Sequence, residues 1–288
     1  IARKFGHAKG IEVPNIIVLK HAFHGRSIAT LSATGNPSVR ADFSPYTEGF
    51  IFVDESDLDG IRKIVEENKN VVAIFFEPIL GEGGVVPIDL SVIKGIREIC
   101  DEHDLLMMCD EVQCGMGRSG KWFAHQWAEI KPDVITMAKG LAGGVPVGAV
   151  IVSEKANIFK PGNHGSTFGG NPLAMRAALE TLSIIEDEKL VENALEVGKK
   201  LKKALSKSLN GFPGVRGIRG KGLMLGIVLD RDAHDILELG LKAGLTFSVT
   251  AGNVIRLVPA LTITEAEADE LVKRITPVIR SFLAQPKI

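Results

Sequence analysis

The sequence contains few cysteines, carries almost no net charge and has no long hydrophobic run. Its 3 cysteines, Cys100, Cys109 and Cys114, show no paired spacing, which favours a reducing compartment, the cytoplasm, over a disulfide framework. A net charge of -1 favours neither nucleic acid nor an anionic membrane surface as a partner. No apolar run approaches the roughly 20 residues of a membrane-spanning helix, so we expect no membrane partner.

What remains is ordinary globular composition with one distinctive stretch. Hydrophobic residues make up 45% of the chain and charged residues 24%, as in ordinary globular proteins. The length of 288 residues is enough for two domains or one large one. Leu105–Cys109 and Val134–Met137 are predicted to be buried strands of a parallel sheet. The first leads into Asp110, and the second leads through Ala138 to Lys139. Because ligands bind beyond the carboxyl ends of such strands, we expect the acid and the lysine to face one ligand.

Further apolar runs extend this sheet. Only residues 140–146 separate Lys139 from the next run, Val147–Val152. A parallel crossover needs about a dozen residues or more, so this strand should run antiparallel. Other predicted strands are Pro14–Leu19, Phe50–Val53 and Val71–Phe76. Predicted helices begin after Ser56 or Asp57, after Asp89 and after Asn171. The pattern predicts an α/β fold with a mostly parallel sheet.

The character of the chain changes near residue 188. A long amphipathic helix with an outer face of lysines follows, then strands at Leu223–Leu229 and Val254–Val258. A last helix, from about Glu265 to Leu283, starts at a capping box of Thr264 and Glu267. We therefore expect a large domain over residues 1–187 and a small α+β domain over residues 188–288.

The segment Gly115–Gly120 fits two phosphate-binding patterns. It matches the dinucleotide fingerprint G-x-G-x-x-G, and it fits a phosphate loop in all but the last position, where Trp122 follows Lys121. Both patterns require a helix that opens at the glycines. Residues 118–126 lack a helical period, so both matches are interpreted as false and the segment as a loop.

Three groups of residues together resemble the cofactor site of the class III (ornithine-type) aminotransferases, which use pyridoxal 5'-phosphate (PLP). They are Asp110-Glu111-Val112-Gln113, Ala138-Lys139-Gly140 and the run Gly165-Ser166-Thr167-Phe168-Gly169-Gly170-Asn171-Pro172. The resemblance spans essentially the whole chain. It implies fold type I of the PLP-dependent transferases, with one antiparallel strand in the central sheet and a small C-terminal α+β domain. It also implies a segment before Ile1, with a small-residue turn that holds the cofactor phosphate.

The resemblance assigns roles at the cofactor. Lys139 would bind PLP covalently and move the substrate proton, and Asp110 would pair with the ring nitrogen, so these two are the expected catalytic residues. The aromatic ring of Phe23 would stack on the cofactor. The implied cofactor-binding set is Phe23, Asp110, Glu111, Val112, Gln113, Lys139 and Thr167, with no metal ion.

The same resemblance implies two carboxylate sites for substrates. Arg26 would bind one carboxylate, because a guanidinium makes paired bonds to carboxylates. Arg256 would bind another, and Glu82 would pair with Arg256 or swing away from it. Read alone, Glu82 is also consistent with a solvated loop acid and Arg256 with a structural ion pair. Ser166 would lie near the substrate, and Thr167 would reach the phosphate of a neighbouring subunit, which implies a homodimer.

The implied reaction is a ping-pong transamination between amino-acid and 2-oxoacid substrates. N-acetylornithine would pass its terminal amino group to 2-oxoglutarate, giving N-acetylglutamate semialdehyde and glutamate, a step of arginine biosynthesis. Ornithine, succinylornithine and 4-aminobutyrate are alternative donors of the class. Outside the class, a nicotinamide-dependent oxidoreductase that uses Gly115–Gly120 and a catalytically silent relative remain as alternatives.

Overall fold

A computed structural model describes residues 1–286, in which the strands form a central sheet, a smaller sheet and a short hairpin. The strands are β1 (Asn15–Leu19), β2 (Phe50–Val53), β3 (Val71–Phe76), β4 (Ile79–Leu80), β5 (Val86–Pro87), β6 (Leu106–Asp110), β7 (Val134–Met137), β8 (Ala149–Val152), β9 (Val215–Lys221), β10 (Met224–Leu229), β11 (Ser248–Thr250) and β12 (Val254–Leu257). The α-helices are α1 (Ala2–Ala8), α2 (Ile28–Ala33), α3 (Pro37–Arg40), α4 (Leu58–Glu67), α5 (Leu90–Glu102), α6 (Pro172–Asp187), α7 (Leu190–Leu209), α8 (Ile236–Lys242) and α9 (Glu265–Ala284). Among these described residues, no helix is both long and apolar enough to cross a membrane.

The central sheet has the strand order β2-β1-β3-β6-β7-β8. Its first five strands are mutually parallel, whereas β8 runs antiparallel to β7. The antiparallel direction confirms the prediction drawn from the short connection after Lys139. The sheet therefore places the carboxyl ends of β1, β3, β6 and β7 along one edge.

Both faces of the central sheet are covered, which is why its strands read as continuous apolar runs. On one face, Ile74 and Phe76 of β3 pack with Ile61 of α4 and Ile96 of α5. On the other face, Val72 packs in a second cluster that contains residues of α1. Helix α5 begins where Asp89 accepts a hydrogen bond from the Ser91 N–H at 2.9 Å, which confirms the predicted cap.

A smaller antiparallel sheet follows, with the order β11-β12-β10-β9. Its core is built from residues 194–283, mainly of α7, β10, β12 and α9. Thr264 and Glu267 form the predicted capping box at the start of α9. The division at residue 188 stays a prediction, and residues 287 and 288 of the predicted small domain lie outside the described chain.

Candidate active site

Asp110 is the last residue of β6 and is 6% exposed. Its Oδ1 accepts hydrogen bonds from the Val112 N–H at 3.1 Å and from Thr136 Oγ1 at 3.3 Å. Its Oδ2 lies 2.9 Å from His24 Nδ1. Within residues 1–286, Asp110 has no lysine or arginine partner. A buried carboxylate in this state has room for a cationic group, such as a protonated ring nitrogen.

His24 fixes the direction of the Asp110 carboxylate. The His24 side chain is fully buried, and its ring stacks on Phe75 of β3 with centroids 4.0 Å apart. The carboxylate is an acceptor, so the bond requires the proton on Nδ1. Nε2 has no hydrogen-bond partner in the described part of the chain. His24 was not singled out from the sequence, because β1 and β6 are brought together only by the sheet order.

Glu77 directly follows β3 and is buried, with 4% exposed. Its Oε1 accepts a hydrogen bond from the Phe23 N–H at 2.8 Å, and its Oε2 accepts one from the Gly81 N–H at 3.0 Å. Burial is the main cause that raises the pKa of Glu77 from 4.5 to about 7, with His24 opposing the shift and Asp110 adding to it. Its place directly after a buried strand is the signal in the sequence that could have identified it.

Glu111 is buried beside Asp110 but its carboxylate serves the protein itself. Its two oxygens accept the N–H groups of Ala124 and His125, each at 2.8 Å, and Oε1 also lies 2.9 Å from His125 Nδ1. Cys114 Sγ lies 3.3 Å from Oε2. These bonds hold the 3-10 turn Ala124–Ala128, so the expected cofactor contact of Glu111 rests on the sequence resemblance alone.

Lys139 follows β7 by two residues and starts a 3-10 turn that ends at Ala142. Its side chain is exposed, and it has no hydrogen-bond or ion-pair partner in the described chain. It lines a cavity of about 250 Å³ together with Val112, Gln113 and Arg256. The structure thus brings Lys139 together with two residues expected at the cofactor and one expected at the substrate.

The ion pair of Glu82 and Arg256 was anticipated from the sequence, and the structure brings the two side chains into contact. Glu82 lies in the hairpin formed by β4 and β5, and its Oε1 is 2.7 Å from Arg256 Nη1. Arg256, in β12, also donates from Nη1 to Gln113 Oε1 at 3.2 Å and from Nε to Ser248 Oγ at 3.1 Å. Thr250 Oγ1 donates to the carbonyl of Glu82. The smaller sheet therefore holds the hairpin that carries the carboxylate.

Phe23 and Arg26 lie in the loop after β1 and line a larger cavity, of about 770 Å³, together with Glu82. The Arg26 guanidinium is 5.7 Å from the centroid of the Phe23 ring, within the range of a cation–π contact. Arg26 is exposed to this cavity. Since Glu82 lines the larger cavity and Arg256 the smaller one, their ion pair connects the walls of the two.

Ser166 and Thr167 are not brought to the other candidate residues within the described chain. Both are exposed in the loop that precedes α6, and neither lines the two cavities just described. Asn171 caps α6, accepting the Ala174 N–H at 2.9 Å, and Pro172 is the first helical residue. The cap confirms the prediction for α6, and the roles of Ser166 and Thr167 stay predictions.

The glycine segment of residues 115–120 is a series of turns. Met116, Gly117 and Gly120 have φ values of 55°, 82° and 84°, in the left-handed region. Between residues 115 and 129, all of which are described, the only helical segment is the 3-10 turn Ala124–Ala128. Both phosphate-binding patterns need an α-helix at the glycines, so the interpretation of the matches as false is confirmed.

Arg118, inside this segment, lines the cavity of Lys139 and was not among the predicted site residues. It donates from Nη1 to the carbonyl of Leu223 at 3.1 Å and to the carbonyl of Pro259. Burial lowers the pKa of its guanidinium to about 10. It joins the glycine segment to the smaller sheet, and no pattern in the sequence indicated that contact.

Comparison with known proteins gives one consistent family. The sequence model of the family described as aminotransferase class-III matches residues 1–279. Acetylornithine aminotransferase 1 of Bordetella bronchiseptica is 48% identical over 286 residues, which cover 99% of this chain and 73% of that protein. Among solved structures, N-acetylornithine aminotransferase from Stenotrophomonas maltophilia aligns with a TM-score of 0.82 at 33% identity, covering 98% of this chain and 71% of that one.

A second solved structure concerns the cofactor. The ornithine aminotransferase of Toxoplasma gondii, crystallized in the presence of oxidized glutathione, is described with partial occupancy of PLP at its active site. It aligns with a TM-score of 0.92 at 32% identity, covering 97% of this chain and 68% of that one. Sequence and structure comparisons therefore agree on the same class of enzyme.

Proposed function

The chain belongs to the class-III aminotransferases, PLP-dependent enzymes of fold type I, and on that premise we propose that it transfers the terminal amino group of N-acetylornithine to 2-oxoglutarate. The observation that carries the proposal is the ion pair of Glu82 and Arg256, 2.7 Å apart, at the junction of the two cavities. Arg26 lines one cavity and Lys139 the other. Such a site serves two substrates that differ by one carboxylate. The acetylornithine enzymes among the relatives support this choice of donor.

The residues at the site have the chemistry that PLP requires. Asp110 is a buried carboxylate without a lysine or arginine partner among residues 1–286, which suits a protonated ring nitrogen. By the family resemblance, Phe23 and Val112 would offer apolar surface to the ring, and Gln113 would offer its amide to the ring hydroxyl group; Phe23 lines the larger cavity and the other two line the smaller one. Lys139 offers an amine that no described residue engages. These residues would hold the cofactor.

When bound, PLP supplies an electron sink that stabilises the electron pair left at carbon after a proton leaves. Lys139 Nζ then serves as the base that removes the proton from the substrate carbon bearing the amino group. The Asp110 carboxylate would pair with the ring nitrogen, and it is held in direction by His24 and by the Val112 N–H.

Two substrates use the arginines differently. N-acetylornithine has one carboxylate, which Arg26 binds while Glu82 neutralises Arg256. 2-Oxoglutarate has two, so its second carboxylate displaces Glu82 and binds Arg256. Displacement leaves the guanidinium in place because Gln113 and Ser248 still accept its N–H groups. Ser166 lines neither cavity in its own subunit, so its proposed place near the substrate rests on the family resemblance.

We also assign the protein a homodimeric active unit, in which Thr167 of one subunit contacts the cofactor phosphate of the other. In support, Phe168 is 82% exposed and Leu173 is 73% exposed, close to Thr167 in sequence. Val150 and Ile151 of β8 are also exposed apolar side chains. Apolar surface of this kind is typical of an interface.

Three free, buried cysteines support the cytoplasm as the compartment.

The test is the absorption spectrum of the purified protein with PLP, before and after N-acetylornithine is added. We expect a visible band that bleaches on addition of the donor and returns with 2-oxoglutarate. Lys139→Ala should lose both the band and turnover, whereas Lys199→Ala, at an exposed position of α7, should keep both. Absence of a band in the wild-type protein supplied with PLP would favour a catalytically silent relative.

Donor choice is decided by kinetics on the same preparation. N-acetylornithine should give the highest kcat/KM when compared with ornithine, succinylornithine and 4-aminobutyrate at equal 2-oxoglutarate. A higher value for one of the other three would transfer the assignment to that donor and leave the transamination mechanism intact. No turnover with any amine, together with binding of a nicotinamide cofactor, would contradict the proposal as a whole.

A further inference from the structure

Glu77 is a buried carboxyl group that has no role in the proposed transamination. Its side chain lies at the carboxyl end of β3, beside the residues of the cofactor site, and no lysine or arginine pairs with it in residues 1–286. Burying a carboxylate without a cation is unfavourable. A glutamine or an apolar residue would remove that cost, so the carboxylate must contribute something that those residues do not.

Its contribution is a pair of hydrogen bonds to two separate loops. Oε1 accepts the N–H of Phe23 at 2.8 Å, in the loop of residues 20–27. Oε2 accepts the N–H of Gly81 at 3.0 Å, in the hairpin of residues 79–87 that carries Glu82. We call these segments the Phe23 loop and the Glu82 hairpin. Only a carboxylate presents two strong acceptors at this spacing, because an amide replaces one of them with a donor.

Each of the two loops approaches a residue of the proposed cofactor site. A Cβ at Gly81 would lie 2.1 Å from Gln113 Oε1, so the Glu82 hairpin passes Gln113 with no room for a side chain. His24, the neighbour of Phe23, contacts Asp110. Glu77 therefore binds the backbone of Phe23, the residue expected to stack on the ring. It also binds the backbone of Gly81, which packs against Gln113, the residue expected to reach the ring hydroxyl.

We propose that Glu77 is a positioning residue that joins the Phe23 loop to the Glu82 hairpin and sets how the stacking ring and the gating carboxylate face the ligand. The assignment rests on the proposed PLP site and adds to it a link between cofactor binding and the Arg256 gate. Glu77 acts through the N–H groups of Phe23 and Gly81 and does not touch the substrate.

The link responds to the charge on Glu77, because a protonated carboxyl accepts only one strong bond. The titratable groups that face Glu77 are His24 from the Phe23 loop, Asp110 at the end of β6, and Cys114 in the segment after β6. Burial raises the pKa of the Cys114 thiol well above its usual value, so the thiol stays neutral. The Cys114 thiol therefore does not contribute to the titration of the link.

The direct test follows the amide resonances of Phe23 and Gly81 in the wild-type protein as pH changes. Both amides should titrate together, with a shared midpoint near the Glu77 pKa of about 7. Glu77→Gln should abolish the shared titration. Amides that do not shift together in the wild-type protein overturn the proposal, and this outcome does not depend on whether a variant folds.

A second test measures the dissociation constant of PLP by equilibrium dialysis. At about pH 8 we expect Glu77→Gln to raise it about tenfold, the effect of losing one buried bond. At about pH 6 the two proteins should differ by less than about twofold, because wild-type Glu77 is then protonated and resembles glutamine. If the ratio of the two PLP dissociation constants does not change between these pH values, the assignment is overturned.

The matched control is Asp133→Asn. Asp133 is also a buried carboxylate, accepting the Met107 N–H at 2.9 Å and pairing with Arg97 at 2.9 Å, but it precedes β7 at the opposite edge of the sheet. For Asp133→Asn, the ratio of the PLP dissociation constant of the variant to that of the wild-type protein should not change with pH. Neither test uses an amine donor, so a wild-type protein without transamination would refute the proposed function and leave the Glu77 measurements standing.

Discussion

Glu82 reaches across 174 positions of the sequence to Arg256, with Oε1 2.7 Å from Nη1. The same Nη1 donates to Gln113 Oε1, and Nε donates to Ser248 Oγ. Only the bond to Glu82 joins opposite charges, so in the proposed function a substrate carboxylate would compete with Glu82 while the two neutral acceptors hold the guanidinium. Under the proposed function, this arrangement would close Arg256 to one substrate and open it to the other.

Glu82→Gln should separate the two half-reactions. The amide leaves Arg256 without its opposing charge, so the carboxylate of N-acetylornithine can bind there in an orientation that keeps its terminal amine from Lys139. We expect the single-turnover rate with N-acetylornithine to fall about tenfold, equivalent to about 1.4 kcal/mol. The rate with 2-oxoglutarate should stay within about twofold, because its second carboxylate still finds Arg256. The absorption of bound PLP reports both rates.

A surface ion pair supplies the control for that variant. Glu238 pairs with Lys242 at 2.7 Å on the exposed side of α8, and Glu238→Gln should leave both half-reactions unchanged. Equal losses in the two half-reactions of Glu82→Gln would contradict a gating role and indicate a structural ion pair.

Asp110→Asn should reduce turnover far more than it reduces cofactor affinity. Asparagine can still accept the Val112 N–H, but it lacks the charge that keeps a ring nitrogen protonated. We expect kcat to fall about a hundredfold, equivalent to about 2.7 kcal/mol, and the pH dependence of the PLP spectrum to shift. Asp133→Asn serves as the comparison, and similar kinetic losses in both variants would remove the assigned role of Asp110.

Stability should fall as pH rises through the range in which Glu77 ionises. The pKa of Glu77 is raised from 4.5 to about 7 by burial, so between these values the folded protein binds more protons than the unfolded chain. The free energy of unfolding therefore decreases with rising pH over that window. Relative to Glu77→Gln, we expect the wild-type protein to lose up to about 3 kcal/mol between about pH 4.5 and 7 and no more above it.

Urea unfolding of both proteins at a series of pH values measures that difference. A difference between wild type and Glu77→Gln that does not vary with pH would mean that Glu77 keeps an ordinary pKa in the folded protein. Thr34→Ser, which keeps the hydroxyl that accepts the His24 N–H at 3.0 Å, should follow the wild-type pH profile.

A mixing experiment tests the shared active site. Lys139→Ala and Thr167→Ala proteins should each have low activity alone. If Thr167 serves the partner's site, a mixed dimer contains one intact site, and random exchange should recover about a quarter of wild-type activity. Activity that stays at the level of the separate variants after verified subunit exchange would place Thr167 in its own subunit's site or outside any site.

Elements whose signal is local could be read from the sequence. β2, β3 and β7 begin and end where their apolar runs predict, because strands buried on both faces need continuous apolar residues. The caps Asp89 and Thr264 were predicted for a similar reason, since each side chain binds an N–H only two or three residues ahead.

Elements whose stability comes from partners were missed. β9, Val215–Lys221, contains two glycines and three basic residues and has no alternating pattern, but it pairs along its length with β10. β11 and α8 are also absent from the predictions, and both pack on the core of the smaller sheet. Their segments become strand or helix because neighbouring elements supply the hydrogen bonds and the apolar contacts.

The sequence alone determined that Asp110 and Lys139 lie at strand ends, because parallel strands carry their ends to one edge, and it paired Glu82 with Arg256 through family resemblance. Only the tertiary structure decided where each carboxylate points. It turned Glu111 toward His125 and placed His24 against Asp110. It also set Glu77 between Phe23 and Gly81, residues that the order of β1 and β3 brings together. Buried polar groups are placed by the donors that packing supplies, and those donors come from distant parts of the chain.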